Sequence, residues 1–262
     1  MFIGLGSVWA APLVPQVEAE AAVLLVADTR EVLFEKKPYD MMYPASTTKI
    51  MTLITALEKG RSNSIVTVSA KAAACEGSSL DLKAGEKLTL QNGLYGMMLV
   101  SGNDSAEAIA ESVGGSIPAF VEMMNDKAMK IGAKNTHFSN PHGLPDPFNH
   151  FTTAYDLALI TAYGMEKPEF AKIVSTREYD VKFLNGKQKH VANTNKILKT
   201  YPGANGVKTG YTNDAGDCLV AGAKRNGVQL ILVILNDDER WADAAKLLDY
   251  GFERIAQQKV KK

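Results

Sequence analysis

Strand-forming segments occupy the two ends of this chain and leave its middle to helices, and no other feature narrows the fold as much. At the amino end, 22–28 and 32–36 are apolar and flank the turn Thr29-Arg30-Glu31. At the carboxyl end, 179–184 and 188–191 flank Asn185-Gly186, and 218–224 and 229–235 flank Asn226-Gly227. Asn-Gly between apolar runs is the signal of a two-residue hairpin turn. A further short strand is expected at 65–68. Between the ends, apolar residues recur with helical period over 46–59, 91–100, 104–113, 118–131 and 153–164, and again over 239–255. Ile50, Leu53, Ile54 and Leu57 form one such stripe, Gly60 suits its stop, and Asp104 and Pro118 suit helix starts. The expected fold is therefore α+β: an antiparallel sheet formed by N- and C-terminal strands, helices on both faces, and an inserted, mainly helical lobe with a cleft beside it. The stretch 133–151, rich in Asn, Pro, His and Gly, carries no periodicity, and structureless segments of that length tend to be functional.

Composition removes several classes of function. The 262 residues suffice for one large domain or two small ones, and a 46% hydrophobic fraction supplies a core. Lys plus Arg balance Asp plus Glu at 29 each with no basic block, which argues against nucleic acid as a partner. Cys75 and Cys218 are the only cysteines and no C-x-x-C occurs, so a disulfide scaffold or thiolate zinc motif is not expected; whether the two pair stays open. His137, His142 and His150 follow spacings of 5 and 8 that fit no standard ligand pattern, so no metal is expected there. Residues 2–14 are apolar and Val17-Glu18-Ala19 has small-x-small character, as in a secretory leader, yet the first basic residue is Arg30. Residues 1–19 thus read as the remnant of a leader or a flexible arm, and 20–262 as one functional domain. Pro12, Pro15 and Glu18 interrupt a run too short to span a membrane. The basic end, 259–262, reads as a solvated helix end.

The chemistry is carried by three short patterns. In Ser46-Thr47-Thr48-Lys49, residues i and i+3 share a helical face, so the lysine amine reaches the serine hydroxyl. A serine needs a base before it attacks, and lysine serves once burial or neighbouring cations lower its pKa. Taken alone, the same four residues read equally as a helix cap and a solvated lysine. Ser101-Gly102-Asn103 follows 55 positions after Ser46 and offers a hydroxyl and an amide that both donates and accepts, or simply a turn before a helix. Lys208-Thr209-Gly210 lies 107 positions after Ser101, where glycine on a strand edge lets an extended peptide approach the backbone. The G-x-S-x-G elbow, the phosphate loop and H-E-x-x-H are all absent from the sequence.

In this order the three patterns resemble the S-x-x-K, S-x-N and K-T-G signature of penicillin-recognising serine enzymes. Gly77-Ser78-Ser79-Leu80, Asn135-Thr136-His137-Phe138, His142-Gly143-Leu144, Lys208-Thr209-Gly210-Tyr211-Thr212 and the run from Lys246 to Phe252 narrow it. They are similar to D-alanyl-D-alanine carboxypeptidases, the low-molecular-mass penicillin-binding proteins, and the likeness extends over 22–255. The resemblance implies the penicillin-binding, β-lactamase-like transpeptidase fold. It also implies a serine D,D-carboxypeptidase that removes the terminal D-alanine from peptidoglycan pentapeptides ending in D-Ala-D-Ala through an acyl-enzyme, with β-lactams as covalent inhibitors. It implies an exported cell-wall enzyme, in the periplasm or at the outer face of the cytoplasmic membrane, acting in peptidoglycan synthesis and cell shape. No cofactor is implied. The family's usual C-terminal β-rich domain and amphipathic anchor have no counterpart in the sequence, so membrane association is expected only through segments outside it.

By resemblance, Ser46 is the nucleophile, Lys49 its base, Ser101 a proton relay and Asn103 an orienting amide. Lys208, Thr209, Gly210 and Tyr211 line the substrate strand, Thr209 and Arg240 hold the terminal carboxylate, and the backbone N–H groups of Ser46 and Tyr211 bind the oxyanion. Tyr211 stands where several relatives carry His. A β-lactamase or a non-catalytic sensor of β-lactams or peptidoglycan would share the signature. Against the first, no glutamate occurs between Glu122 and Glu166, Glu166-Lys167-Pro168-Glu169 lacks the E-x-x-L-N form, and Gly102 stands where class A enzymes usually carry Asp.

Overall fold

The structure, a computed structural model, describes residues 12–260, the side chains of 259 and 260 excepted. Most of the leader-like stretch and the basic end therefore lie outside the described residues. The chain runs through β1 (Ala21–Val26), β2 (Val32–Lys36), a 3₁₀ turn (Ala45–Thr48), α1 (Lys49–Lys59), β3 (Ile65–Thr67), α2 (Ala70–Ala73), β4 (Lys87–Thr89), α3 (Leu90–Leu99), α4 (Asn103–Gly114) and α5 (Ile117–Ile131). It continues with α6 (Ala154–Met165), α7 (Pro168–Ser175), β5 (Glu178–Lys182), β6 (Gln188–Ala192), α8 (Ile197–Thr200), β7 (Ala204–Thr212), β8 (Gly216–Arg225), β9 (Val228–Leu235) and α9 (Arg240–Val260).

The ends of the chain meet in one antiparallel sheet of order β2-β1-β9-β8-β7, in which Ala21 faces Leu235 across a register that continues to Val26 opposite Leu230. Successive strand residues point to opposite faces, so a strand covered on both sides must be apolar at every position. Strand β9 meets that requirement. Leu230, Leu232 and Ile234 pack with Ala22, Leu24, Leu219 and Ala221 beneath Ala244, Leu247 and Leu248 of α9. Ile231, Val233 and Leu235 face the opposite way, into the large core shared with α1, α3, α4 and α6. The turn at Asn226 and Gly227 has positive φ at both residues, as a two-residue hairpin loop between right-twisted strands requires.

Two places differ from the sequence reading. Ser46 does not open an α-helix: it lies in the 3₁₀ turn, and α1 begins only at Lys49. Pro44 precedes this turn and Ala45 takes a positive φ, which tightens the chain before the helix proper. A 3₁₀ turn eclipses i and i+3, so Ser46 and Lys49 align more closely than on an α-helix. Second, the hairpin over 179–191 does not join the main sheet, since β5 and β6 form a two-stranded sheet of their own. Lys208 lies, as expected, on a strand, β7, at the edge of the main sheet. The arm before β1 docks on the domain: Ala19 is fully buried, Lys36 donates to the Val17 carbonyl and Glu18 N–H donates to Asp243.

Candidate active site

Three elements converge beside the free edge of β7: the 3₁₀ turn with Ser46, the Ser101–Asn103 corner that opens α4, and β7 itself. The turn fits against the strand because Gly210 has no side chain. A Cβ there would stand 3.1 Å from both the Ser46 nitrogen and the Ala45 Cβ, tighter than most side-chain contacts, so the turn or the strand would have to give way. The cleft left between them, about 210 Å³, is lined by Ser46, Ser78, Val100, Ser101, Thr194, Thr209, Gly210, Tyr211 and Arg240. Lys49, Asn103 and Lys208 form its buried floor. All nine site residues singled out in the sequence thus meet in one place.

Lys49 is fully buried, and its Nζ has three neighbours: Asn103 Oδ1 at 2.7 Å, the His142 carbonyl at 2.8 Å and Ser46 Oγ at 3.0 Å. Burial pushes its pKa well below the ordinary lysine value, the charge of Lys208 pushes the same way, and Cys75 and Asp104 oppose only in part. A neutral amine has two N–H bonds and one lone pair. The two carbonyl oxygens accept the N–H bonds, which leaves the lone pair facing the Ser46 hydroxyl. The geometry is that of a base poised on its nucleophile.

Lys208 is buried as deeply, with Nζ 3.1 Å from Ser101 Oγ and donating to the Thr209 carbonyl at 2.9 Å. Burial, aided by the charge of Arg240, lowers its pKa to about 7. Ser101 sits at φ 63°, a left-handed conformation costly for a residue with a Cβ, and this turns its hydroxyl towards the Lys208 amine. The corner is held by Asp104, whose carboxylate accepts from Leu80 N–H and Leu82 N–H at 2.9 Å and from Ser79 Oγ at 2.7 Å. Asn103 spends its Nδ2 on the Glu76 carbonyl at 2.6 Å, so within the protein only its oxygen serves Lys49. Arg240, the first residue of α9, donates to the Gly210 carbonyl at 3.0 Å and pairs with Asp217 at 2.9 Å, while its buried Nε has no partner. Thr209 meets Thr194, hydroxyl to hydroxyl, at 3.0 Å. The Tyr211 ring is 62% exposed and leans to Asn213, so it adds no group to the floor of the cleft.

The irregular stretch over 133–151 underpins the turn. His142 supplies the carbonyl to Lys49. Thr48 donates to the Ala45 carbonyl and accepts from His150 Nε2 at 2.8 Å, while Ser139 N–H donates to His150 Nδ1. Burial holds His150 neutral, its pKa pushed down to about 3. Sequence reasoning did not find His142 as a ligand of Lys49, because a backbone carbonyl leaves no side-chain signature. Ser78 lines the cleft, as its place in the Gly77–Leu80 stretch implied, whereas Thr194 and Val100 were missed because neither belongs to a motif. Both cysteines are free. Glu166, close in sequence to where a deacylating base would fall, pairs instead with Arg30, and no carboxylate lines the cleft among the described residues.

Comparison with known proteins gives a consistent answer. Residues 9–239 match the D-alanyl-D-alanine carboxypeptidase family. The chain is 39% identical to the carboxypeptidase DacF of Bacillus subtilis over 245 residues, covering 90% of this chain and 63% of that protein. It is 34% identical to DacB2 of Mycobacterium tuberculosis, covering 94% of this chain and 87% of the relative. Among solved structures, a D-alanyl-D-alanine carboxypeptidase of M. tuberculosis superposes with a TM-score of 0.87 at 32% identity, over 92% of this chain and 94% of the other. A serine-to-alanine mutant of the Streptomyces K15 DD-transpeptidase also gives 0.87 at 32% identity, over 91% and 99%. The chain thus spans less than two thirds of the B. subtilis relative and nearly all of the Streptomyces one.

Proposed function

The chain belongs to the D-alanyl-D-alanine carboxypeptidase family, and from that membership we propose that it is a serine D,D-carboxypeptidase of the cell wall. It removes the terminal D-alanine from peptidoglycan stem peptides and needs no cofactor. The observation that carries the reading is the buried Lys49 amine, 3.0 Å from Ser46 Oγ with its other neighbours both carbonyl oxygens.

In the proposed reaction the stem peptide lies along the free edge of β7 and adds a strand to it. Its carboxylate faces Thr209 and the Arg240 guanidinium, in a corner made positive by Lys208 as well. Ser46 gives its proton to Lys49, and Oγ bonds to the carbonyl carbon between the two D-alanines. The negative oxygen that forms lies between the backbone N–H groups of Ser46 and Tyr211. As the C–N bond breaks, the pair Ser101 and Lys208 delivers a proton to the departing amine. Lys49 passes the proton it took from Ser46 to the Ser101–Lys208 pair, which leaves the Lys49 amine neutral again. A water then attacks the ester, giving its proton to Lys49, and Lys49 returns it to Ser46 Oγ as the C–O bond breaks. β-Lactams follow the first half of this path, and their tethered leaving group blocks the second. The absence of a carboxylate from the described cleft lining supports slow loss of such an adduct, which favours the peptidase over a β-lactamase. Export to the cell-wall compartment follows from the substrate proposed.

The test is D-alanine release from a synthetic peptide ending in D-Ala-D-Ala, run beside intact-mass measurement after penicillin addition. Released D-alanine and a persistent adduct, both lost in Ser46→Ala, are expected. Rapid loss of the adduct would indicate a lactamase, and an adduct without released D-alanine a sensor.

A further inference from the structure

Apart from the groups assigned above, one set of side chains among the described residues combines metal-ligand chemistry with burial. Cys75, Glu107 and His142 bring a thiol sulfur, a carboxylate oxygen and an imidazole nitrogen within 4.8 Å of one another. They come from the loop after α2, from the middle of α4 and from the irregular stretch under the 3₁₀ turn. Glu107 is 8% exposed and His142 6%, whereas Cys75 is only partly buried and leaves a path to solvent. Glu107 Oε1 stands 3.4 Å from His142 Nε2; its other oxygen is buried without a well-formed hydrogen bond, and the Cys75 thiol, a weak donor, lies beside the carboxylate. A buried carboxylate served by no better donor than a thiol is costly, and three ligand atoms this close point to a cation that would satisfy it.

We propose that Cys75, Glu107 and His142 form a site for a divalent cation of the zinc class, and that its occupancy slows acylation by displacing the carbonyl that aligns Lys49. Thiolate, imidazole and carboxylate together suit zinc, whereas calcium and magnesium require oxygen ligands. In a tetrahedral site with bonds of about 2.0–2.3 Å, ligand atoms stand roughly 3.3–3.8 Å apart, so the widest pair closes by about 1 Å. Water fills the fourth position. On binding, the thiol proton leaves to solvent.

The link to Lys49 is the proton of His142. Its Nδ1 accepts from Leu144 N–H at 3.2 Å, so without metal the ring proton sits on Nε2, facing Glu107. A cation on Nε2 displaces that proton to Nδ1, where it meets the Leu144 N–H head on. The turn from His142 to Leu144 then has to shift, and with it the carbonyl that Lys49 donates to at 2.8 Å.

The site is tested with Co²⁺ titrated into the full chain, read by absorption, and with Zn²⁺ as competitor. One equivalent of Co²⁺ is expected, with a thiolate-to-cobalt charge-transfer band that Zn²⁺ displaces. The band vanishes in Cys75→Ser, weakens in Glu107→Gln and persists in Cys218→Ser. Zn²⁺ slows β-lactam acylation of the unaltered protein by about tenfold or more, and a chelator restores the rate. Cys75→Ser, with the same metal-free rate, does not respond. Cobalt bound without the band, or a band that survives Cys75→Ser, overturns the site, and a full band with unchanged acylation overturns its coupling to Lys49. Binding does not depend on the peptidase reading, so failure of acylation itself would leave the band as an independent readout of the site.

Discussion

Two regions of this molecule each gather two lysines, and they set them to opposite uses. On the helical lobe, Lys127 and Lys167 flank Glu58, with Lys167 Nζ 2.9 Å from its Oε1 and Lys127 paired to the other oxygen. Burial there works to lower Lys127, but Glu58 and Tyr163 outweigh it, and both lysines end above their ordinary pKa. In the cleft, Lys49 and Lys208 are fully buried and face neutral oxygens, Lys49 in the positive field of Lys208 and Lys208 in that of Arg240, and both end below it. The residue type is the same. Removing the adjacent carboxylate and the water is what turns a cation into a base.

The contrast breaks most sharply at Lys49. Lys49→Arg puts a fixed cation where the neutral amine sits and removes the capacity to accept a proton, so β-lactam acylation, followed by intact mass, should fall by about 10²–10⁴-fold. A retained rate would assign the base elsewhere. Next in size is Gly210→Val, which forces the strand away from the Ser46 nitrogen. A displacement of about 1 Å costs roughly 10²-fold in rate, and unchanged circular dichroism would show that the sheet survives.

The pH dependence separates the two regions by sign. A base must be unprotonated, and Lys49 is held well below the ordinary lysine value, so acylation should climb at pH values where an ordinary lysine is still charged. It should fall again as Lys208, the proton donor with Ser101, is neutralised above about 7. The folded state then binds fewer protons than the unfolded chain between about 7 and the ordinary 10.5, so the Lys208 contribution to stability rises with pH across that window. Denaturant melts of Lys208→Met should show a shallower rise. Glu58 behaves in the opposite region of the scale. Burial opposes its ionisation, but its three partners lower it to about 2, so its stabilising effect is present above 4.5 and is lost as pH falls towards 2. Glu58→Gln is the smallest effect, about 1 kcal/mol or less, with acylation unchanged.

Much of this was legible in the sequence because it is local. Ser46 and Lys49 are one turn apart, Ser101 and Asn103 share a corner, and apolar runs such as Ile231–Leu235 identify a strand covered on both faces. What was not legible is non-local or backbone. The full extent of strand β7 is one case, since Gly206, Gly210 and an inward-pointing Lys208 break the alternation that marks a strand. Ser46 reads as a helix cap, since nothing in four residues distinguishes a 3₁₀ turn from the first turn of an α-helix. The His142 carbonyl and the Glu76 carbonyl act through atoms every residue has. Cys75, Glu107 and His142 lie far apart in sequence, so a search for close ligand spacing passes over them.

The most direct test is the protonation state of Lys49 itself. In protein labelled with carbon-13 at lysine Cε, the Lys49 signal is identified by its absence from Lys49→Arg. The structure predicts that it titrates far below the ordinary 10.5 and reports a neutral amine at the pH where acylation is fast. A Lys49 that stays charged until the pH nears that ordinary value would contradict the account.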